Sequence, residues 1–207
     1  MDKLFVIGNP IKHSKSPIIH NYWIKKYSLD ATYQQKQLEI SDLPSMIEKI
    51  KDGSIKGFNV TVPFKKEILK FVDVIDYTAK DSMAINTVFV KNKKIIGANT
   101  DGIGFVSSLK KDLKLKLTKN SSILCLGAGG AAFGIISELI KLNPNLIQIS
   151  NRTESAAVEL KNHFSSFKST KFEVKHWGFQ PKRNIDLIIN TSSYGMRESE
   201  NACLNID

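Results

Sequence analysis

The sequence predicts an α/β protein of two units: an N-terminal αβ unit with a mostly parallel sheet, then a doubly wound, Rossmann-like unit. Three observations carry this. Short apolar runs recur along the chain, from Leu4–Ile7 to Asp186–Asn190, and stretches with helical spacing separate them. Several runs end in Gly, Asn or Pro, residues that stop strands. One run, Ser122–Leu126, passes through a glycine-rich turn into a helical stretch. At about 150 residues per domain, 207 residues make one large or two small domains.

Leu4–Ile7, ended by Gly8-Asn9-Pro10, reads as a buried strand. Pro17 opens a helix to about Ser28, with Ser16 as N-cap. Tyr33–Leu38 is a second strand. Asp42–Lys51 is a helix with Leu43, Met46, Ile47 and Ile50 on one face. Gly57–Thr61 is a third strand, broken by Pro63, and a helix then carries Ile68, Leu69 and Val72. Ile85–Val90 and Ile95–Ala98 flank Lys91-Asn92-Lys93, a hairpin signal. Gly102–Leu117 reads as a connecting helix. Strands at Ser122–Leu126, Leu146–Ser150, Phe172–Lys175 and Asp186–Asn190 alternate with helices at Ala131–Lys141 and Glu154–Phe164. Such alternation implies a largely parallel sheet covered on both faces. The expected divisions are 1–101, a connection over 102–118, and 119–207.

The formal charge is +10, and each half of the chain carries +5, so no basic arm stands out. Of the 30 basic residues only Arg152, Arg183 and Arg197 are Arg. Nucleic-acid readers use Arg forks, so the charge reads as a lysine coat that attracts small anions, with no nucleic acid as partner. Two cysteines, Cys125 and Cys203, exclude a disulfide scaffold and a multi-Cys zinc module. Cys125 lies in an apolar run and reads as a buried thiol. His13 and His20 lack an acidic or Cys partner at ligand spacing, so no metal is expected. No signal peptide and no membrane-length apolar run are visible, and a cytoplasmic chain with reduced thiols is expected.

Gly127-Ala128-Gly129-Gly130-Ala131-Ala132 fits G-x-G-x-x-A in the required strand-to-helix context. Small residues let a pyrophosphate approach the backbone, and the helix N-terminus supplies N–H donors. A P-loop reading fails, because Ile135 stands where Lys is needed. The next strand ends in Asn151-Arg152-Thr153. An acidic residue would bind a ribose diol there, whereas Arg152 suits a 2′-phosphate, so NADP is expected over NAD.

Four segments of the first unit place polar groups at strand ends: Ser14-Lys15-Ser16-Pro17, Asn59 to Lys65, Asn86-Thr87 and Asn99-Thr100-Asp101. Loops at the carboxyl ends of parallel strands converge, and such a lining suits a small polyhydroxylated acid. Taken alone, Lys65 is one surface lysine among 27. In the first turn of a helix opened by Pro63, the dipole would disfavour its ammonium. Asp101 would act the other way, and a Lys–Asp pair can relay a proton during ketone reduction.

Gly8 to Pro17 with His20-Asn21 resembles the opening signature of the shikimate dehydrogenases. Asn59 to Lys65, Ala84 to Thr87, Asn99 to Gly102, Gly127 to Ala131, Asn151 to Thr153 and Asn190 to Met196 resemble that family's later blocks, in order. The resemblance implies NADPH-dependent reduction of 3-dehydroshikimate to shikimate by a monomer or homodimer. It implies that Ser14 and Ser16 bind the substrate carboxylate, and Thr61, Asn86 and Asp101 the ring hydroxyls, with Asn59 also among the substrate-binding residues. Lys65 and Asp101 would be catalytic. Gly127, Ala128, Gly129, Gly130 and Ala131 would hold the pyrophosphate, and Asn151, Arg152 and Thr153 the 2′-phosphate. Thr191 and Met196 would lie near the nicotinamide. Two departures are visible. Ala156 stands where the family carries a second basic residue, which weakens NADP selectivity. The family pattern also continues beyond Asp207, so a truncated form with an open sheet edge is expected. The alternatives are a quinate/shikimate dehydrogenase using NAD and a truncated paralogue that binds ligand without turnover.

Overall fold

The computed structural model describes residues 1–181 and 184–195, and the chain divides into two units between Thr100 and Asp101. Six strands and three α-helices build the first unit: β1 (Asp2–Gly8), α1 (Ser16–Lys26), β2 (Ala31–Gln37), α2 (Leu43–Lys51), β3 (Gly57–Val60), β4 (Val74–Ile75), α3 (Tyr77–Ser82), β5 (Thr87–Lys91) and β6 (Lys94–Ala98). Its six strands run in the order β2-β1-β3-β5-β6-β4. β1 is parallel to both neighbours, with Leu4 opposite Tyr33 and Gly57. β5 is antiparallel to β3 and β6, and β4 is parallel to β6.

The sheet is covered on both faces, which is why Val6 and Ile7 are both buried although they point opposite ways. Ile7, Phe58, Val60 and Val88 pack with Leu43, Met46, Ile47 and Ile50 of α2. Those four helix positions follow the i, i+3, i+4, i+7 stripe, and each buried side chain stabilises by about 1.5–3 kcal/mol. Val6, Ile11 and Tyr33 form a smaller cluster with Leu4 and Ile24. The Asn21 carboxamide bonds both the N–H and the carbonyl of Tyr33, fastening α1 to edge strand β2. α1 leaves Ile18, Ile19, Tyr22 and Trp23 more than half exposed.

Several expected details differ. The N-cap of α1 is Lys15, not Ser16, while the Ser14 hydroxyl accepts from the Ser16 N–H at 3.3 Å. No α-helix follows Pro63: residues 62–66 form turns, and Glu67–Phe71 is a 3-10 helix. The cause is a competing bond. The Lys65 carbonyl accepts the Ile85 N–H at 2.8 Å, so the Leu69 N–H turns to the Lys66 carbonyl instead. The helix-dipole argument for Lys65 therefore has no helix to rest on. Strand β4 and helix α3 were not anticipated.

The second unit contains α4 (Asp101–Lys111), β7 (Ser122–Leu126), α5 (Gly130–Leu139), β8 (Leu146–Ser150), α6 (Glu154–His163), β9 (Lys171–Lys175) and β10 (Leu187–Asn190). Among the described residues its four strands are all parallel, in the order β10-β7-β8-β9. Ile123, Cys125, Ile147, Ile149 and Ile189 bury one sheet face against Phe133 and Ile136 of α5 and Leu160 of α6. Phe164 lies 6.1 Å from both Phe133 and Phe172. The helix expected over Gly102–Leu117 ends at Lys111. Lys114 takes a left-handed φ of +52°, and the Leu115 N–H folds back to the Leu109 carbonyl at 2.9 Å. No helix among the described residues is long and apolar enough to cross a membrane.

Candidate active site

In the first unit, the carboxyl ends of β1, β3 and β6 and the amino end of β5 share one sheet edge, because β5 alone among these four runs the other way. Polar residues placed after or before those strands must therefore meet along that edge. The Thr61 N–H donates to the Ile7 carbonyl at 2.9 Å, the Val60 N–H to the Asn86 carbonyl at 2.8 Å, and the Asn86 N–H to the Ala98 carbonyl at 3.0 Å. Gly8 permits the close approach: a Cβ there would meet the Thr61 methyl at 2.5 Å and the Val62 carbonyl at 3.1 Å.

A hydrogen-bonded network ties the edge together. The Asn59 amide donates to the Asn86 carbonyl at 3.1 Å and to the Thr87 hydroxyl at 3.0 Å, and its oxygen accepts the Tyr33 hydroxyl at 2.6 Å. Both amide hydrogens and one lone pair of Asn59 are thus committed inside the protein. Asn86 is buried; its oxygen accepts from the Thr87 hydroxyl at 2.8 Å and the Thr100 N–H at 3.0 Å, and its amide donates to the Thr100 hydroxyl at 3.0 Å. A connected network of this kind holds its members in place. Ser14, Thr61 and Lys65 are half-buried on the loops that leave the same edge, and Ser16 is half-buried at the start of α1.

Sequence reasoning did not single out Tyr33. The signal was one aromatic in an otherwise polar edge strand, Ala-Thr-Tyr-Gln-Gln-Lys-Gln. Its ring stacks on His20 at 4.1 Å. Burial pushes the Tyr33 hydroxyl upward and the His20 imidazole downward from their ordinary values.

In the second unit, β7 ends at Leu126 and the chain turns at Gly127, whose φ is +103°. A Cβ there would meet the Thr191 hydroxyl at 2.7 Å and the Ser192 nitrogen at 2.8 Å. Thr191 in turn hooks onto the turn, donating both its N–H (2.7 Å) and its hydroxyl (2.9 Å) to the Leu126 carbonyl. Gly129 caps α5 in extended conformation, with no side-chain cap and no acidic residue in the first turn. The space where a Gly129 Cβ would lie is open for 4 Å. The first-turn N–H groups of Gly130 and Ala131 thus lie beside open space at Gly129, which fits a pyrophosphate.

One strand further out, β8 ends in Ser150 and leads into Asn151-Arg152-Thr153. The Asn151 amide donates to the Thr153 carbonyl at 2.7 Å, and Arg152 and Thr153 are exposed. Arg152 is the one cation between Asn151 and Leu160, while Glu154 opens α6. Ala156 is partly buried against the core of this unit. Asp101, the first residue of α4, is half-buried. Met196 lies outside the described residues.

Comparison with known proteins gives one consistent result. Residues 6–88 match the family described as the shikimate dehydrogenase substrate binding domain. Over 206 residues the chain is 45% identical to the NADP(+) shikimate dehydrogenase of Pelagibacter ubique, covering 99% of this chain and 74% of that one. The crystal structure of shikimate dehydrogenase from Aquifex aeolicus superposes with a TM-score of 0.85 at 37% identity, over 99% of this chain and 74% of that one. A shikimate dehydrogenase crystallised with NADP+ superposes with a TM-score of 0.83 at 35% identity, over 93% and 67%.

Proposed function

Because the chain belongs to the shikimate dehydrogenase family, we infer that its two polar edges carry the two halves of one reaction, the reversible NADPH-dependent reduction of 3-dehydroshikimate to shikimate. It is an NADP-dependent oxidoreductase acting on a CH–OH group. The observation that carries the assignment of parts is the Asn59–Asn86–Thr87–Thr100 network, which fixes hydroxyl and amide groups along one edge of the first unit. Substrate handling is assigned to residues 1–101 and cofactor binding to 119–207, with 102–118 as the connection.

When bound, NADPH supplies the hydride. The chain's own residues bind, orient and move a proton. Ser14 and Ser16 hold the substrate carboxylate; hydroxyl donors suit an anion whose charge must be matched without displacing a catalytic cation. Thr61, Asn59 and Asn86 hold the ring hydroxyls, each of which needs a donor and an acceptor. Asn59 has one lone pair left for this, so its larger part is to position Thr87 and Asn86. Lys65 and Asp101 handle the proton that the ketone oxygen gains on reduction and loses on oxidation. Asn86 supports that step indirectly, since it holds Thr100, the residue before Asp101. Gly127 to Ala131 hold the pyrophosphate and Arg152 with Asn151 and Thr153 the 2′-phosphate, while the turn that Thr191 opens, fastened to the Leu126 carbonyl, serves the nicotinamide end. The protein works in the cytoplasm as a monomer or homodimer.

The test follows nicotinamide absorbance with the purified chain, shikimate, and NADP+ or NAD+ in parallel. Turnover with NADP+ well above that with NAD+ is expected. Lys65→Ala and Asp101→Asn should each lower kcat by about 10²–10⁴-fold while leaving the cofactor KM within about twofold. Folded protein without turnover of shikimate would overturn the reading. Equal rates with NAD+ would instead favour the NAD-using alternative, with Ala156 as its cause.

A further inference from the structure

The loops that follow the two outer strands of the second sheet lean inward. β9 and β10 lie at opposite edges, three strand spacings or about 14 Å apart. Yet the Trp177 ring, two residues past β9, meets the Tyr194 ring, four residues past β10, edge-to-face at 5.7 Å and 76°. Two anchors account for this. The Ser150 hydroxyl at the end of β8 donates to the His176 carbonyl at 2.8 Å and draws the β9 loop over β8. Thr191 donates to the Leu126 carbonyl and draws the β10 loop over β7. Asn190 then shapes that loop, accepting from the Ser192 N–H at 3.0 Å and donating to the Tyr194 carbonyl at 3.0 Å. The two rings therefore join across the ends of β7 and β8, beside the glycine turn and the Arg152 loop. Trp177 keeps 37% of its surface exposed, so an aromatic face remains for a ligand.

We propose that the Trp177–Tyr194 pair is the wall on which the adenine of the cofactor stacks, opposite Arg152. The proposal rests on the dinucleotide reading above and deepens it. A purine laid between Gly127 and Arg152 has its phosphates and ribose accounted for by backbone N–H groups and by Arg152, and its base needs an apolar π-surface. Indole and phenol rings supply that surface at little entropic cost, because each is held by its neighbour.

The test uses 2′,5′-ADP, which carries the adenine, ribose and 2′-phosphate without the nicotinamide. In a Trp23→Phe background Trp177 is the sole tryptophan, and its emission should be quenched on titration with 2′,5′-ADP. Calorimetry should show 2′,5′-ADP and NADP+ binding about tenfold more weakly to Trp177→Ala, near-normal binding to Trp177→Phe, and an unchanged KM for shikimate. Normal affinity of Trp177→Ala with silent emission in the Trp23→Phe chain would overturn the stacking wall and leave the enzyme reading intact. Failure of the unsubstituted chain to bind any of these nucleotides would overturn both.

Discussion

At the residue scale, charge and burial decide which side chains are fixed and which are free to react. Burial pushes the Cys125 thiol up to about 11, and the Thr191 hydroxyl beside it only partly offsets this, so the thiol is structural at neutral pH. Glu173 is the opposite case. Its carboxylate lies 2.6 Å from Lys171 and 3.0 Å from Lys175, and the Gln148 amide donates to it at 3.3 Å. These partners, Lys171 first, hold its carboxyl at about 2, below the ordinary 4.5. A depressed folded-state value means that the stabilisation is complete above about 4.5 and is lost as pH falls through about 2. Glu173→Gln should cost about 1 kcal/mol at pH 7, the upper range for a surface ion pair. Urea midpoints measured at pH 7, 4 and 2 should show the gap between the two proteins narrowing and then closing. A gap of constant size down to pH 2 would mean that packing, not charge, keeps Glu173 in place.

At the element scale, the hairpin between β5 and β6 illustrates how a loop can be correct in place and poor in residue choice. Lys91 pairs with Lys94, so the connection is Asn92-Lys93 alone, and both residues take left-handed φ, +52° and +60°. That is the turn whose twist matches two antiparallel strands. Asn tolerates the region, whereas Lys pays a steric penalty that Gly would not. Lys93→Gly should raise stability by about 0.5–1 kcal/mol, read as a shift in urea midpoint without a change in slope; a loss of stability would show that the Lys93 side chain has a role in the turn. Elements were legible wherever local pattern and tertiary demand agreed. Leu146–Ser150 and Ser122–Leu126 are strands at the expected residues because apolar runs buried on two faces have no other local solution. Two stretches were misread for physical reasons. The helix after Pro63 failed because a distant strand takes the Lys65 carbonyl, which no local pattern announces. The helix to Leu117 failed because its last residues, Leu-Lys-Leu-Lys-Leu, alternate with period two and carry no helical stripe; Leu115 and Leu117 pack on the core while Leu113 is 68% exposed.

At the scale of the whole molecule, Asn59, Asn86, Thr87 and Thr100 were legible as a set because strand ends collect on one edge. Their bonding was not. Nothing in the sequence says that Asn59 is bound by Tyr33, or that Asn86 grips Thr87 and Thr100. The glycine turn was readable down to its residues, since a φ of +103° and the approach of Thr191 admit only glycine at 127. The two aromatics that meet near it were not, because they come from strands at opposite edges. Each hydrophobic cluster also falls wholly on one side of Thr100: two on residues 4–95, one on residues 105–189. Separate cores allow separate stabilisation, because a ligand that binds only the folded form of a unit raises the free energy of that unit's opening by RT ln(1 + [L]/Kd), about 2.7 kcal/mol at a hundred times Kd. Hydrogen exchange with NADP+ alone should therefore slow at 126–133 and 150–154, near the glycine turn and the Arg152 loop, and leave 57–61 and 86–91 unchanged. Shikimate alone should slow exchange around 57–61, 86–88 and 99–101 and leave the glycine turn unchanged. Protection of the first unit by NADP+ alone would show that the dinucleotide is read by residues other than those of the glycine turn and the Arg152 loop, and would move the cofactor site off the second sheet.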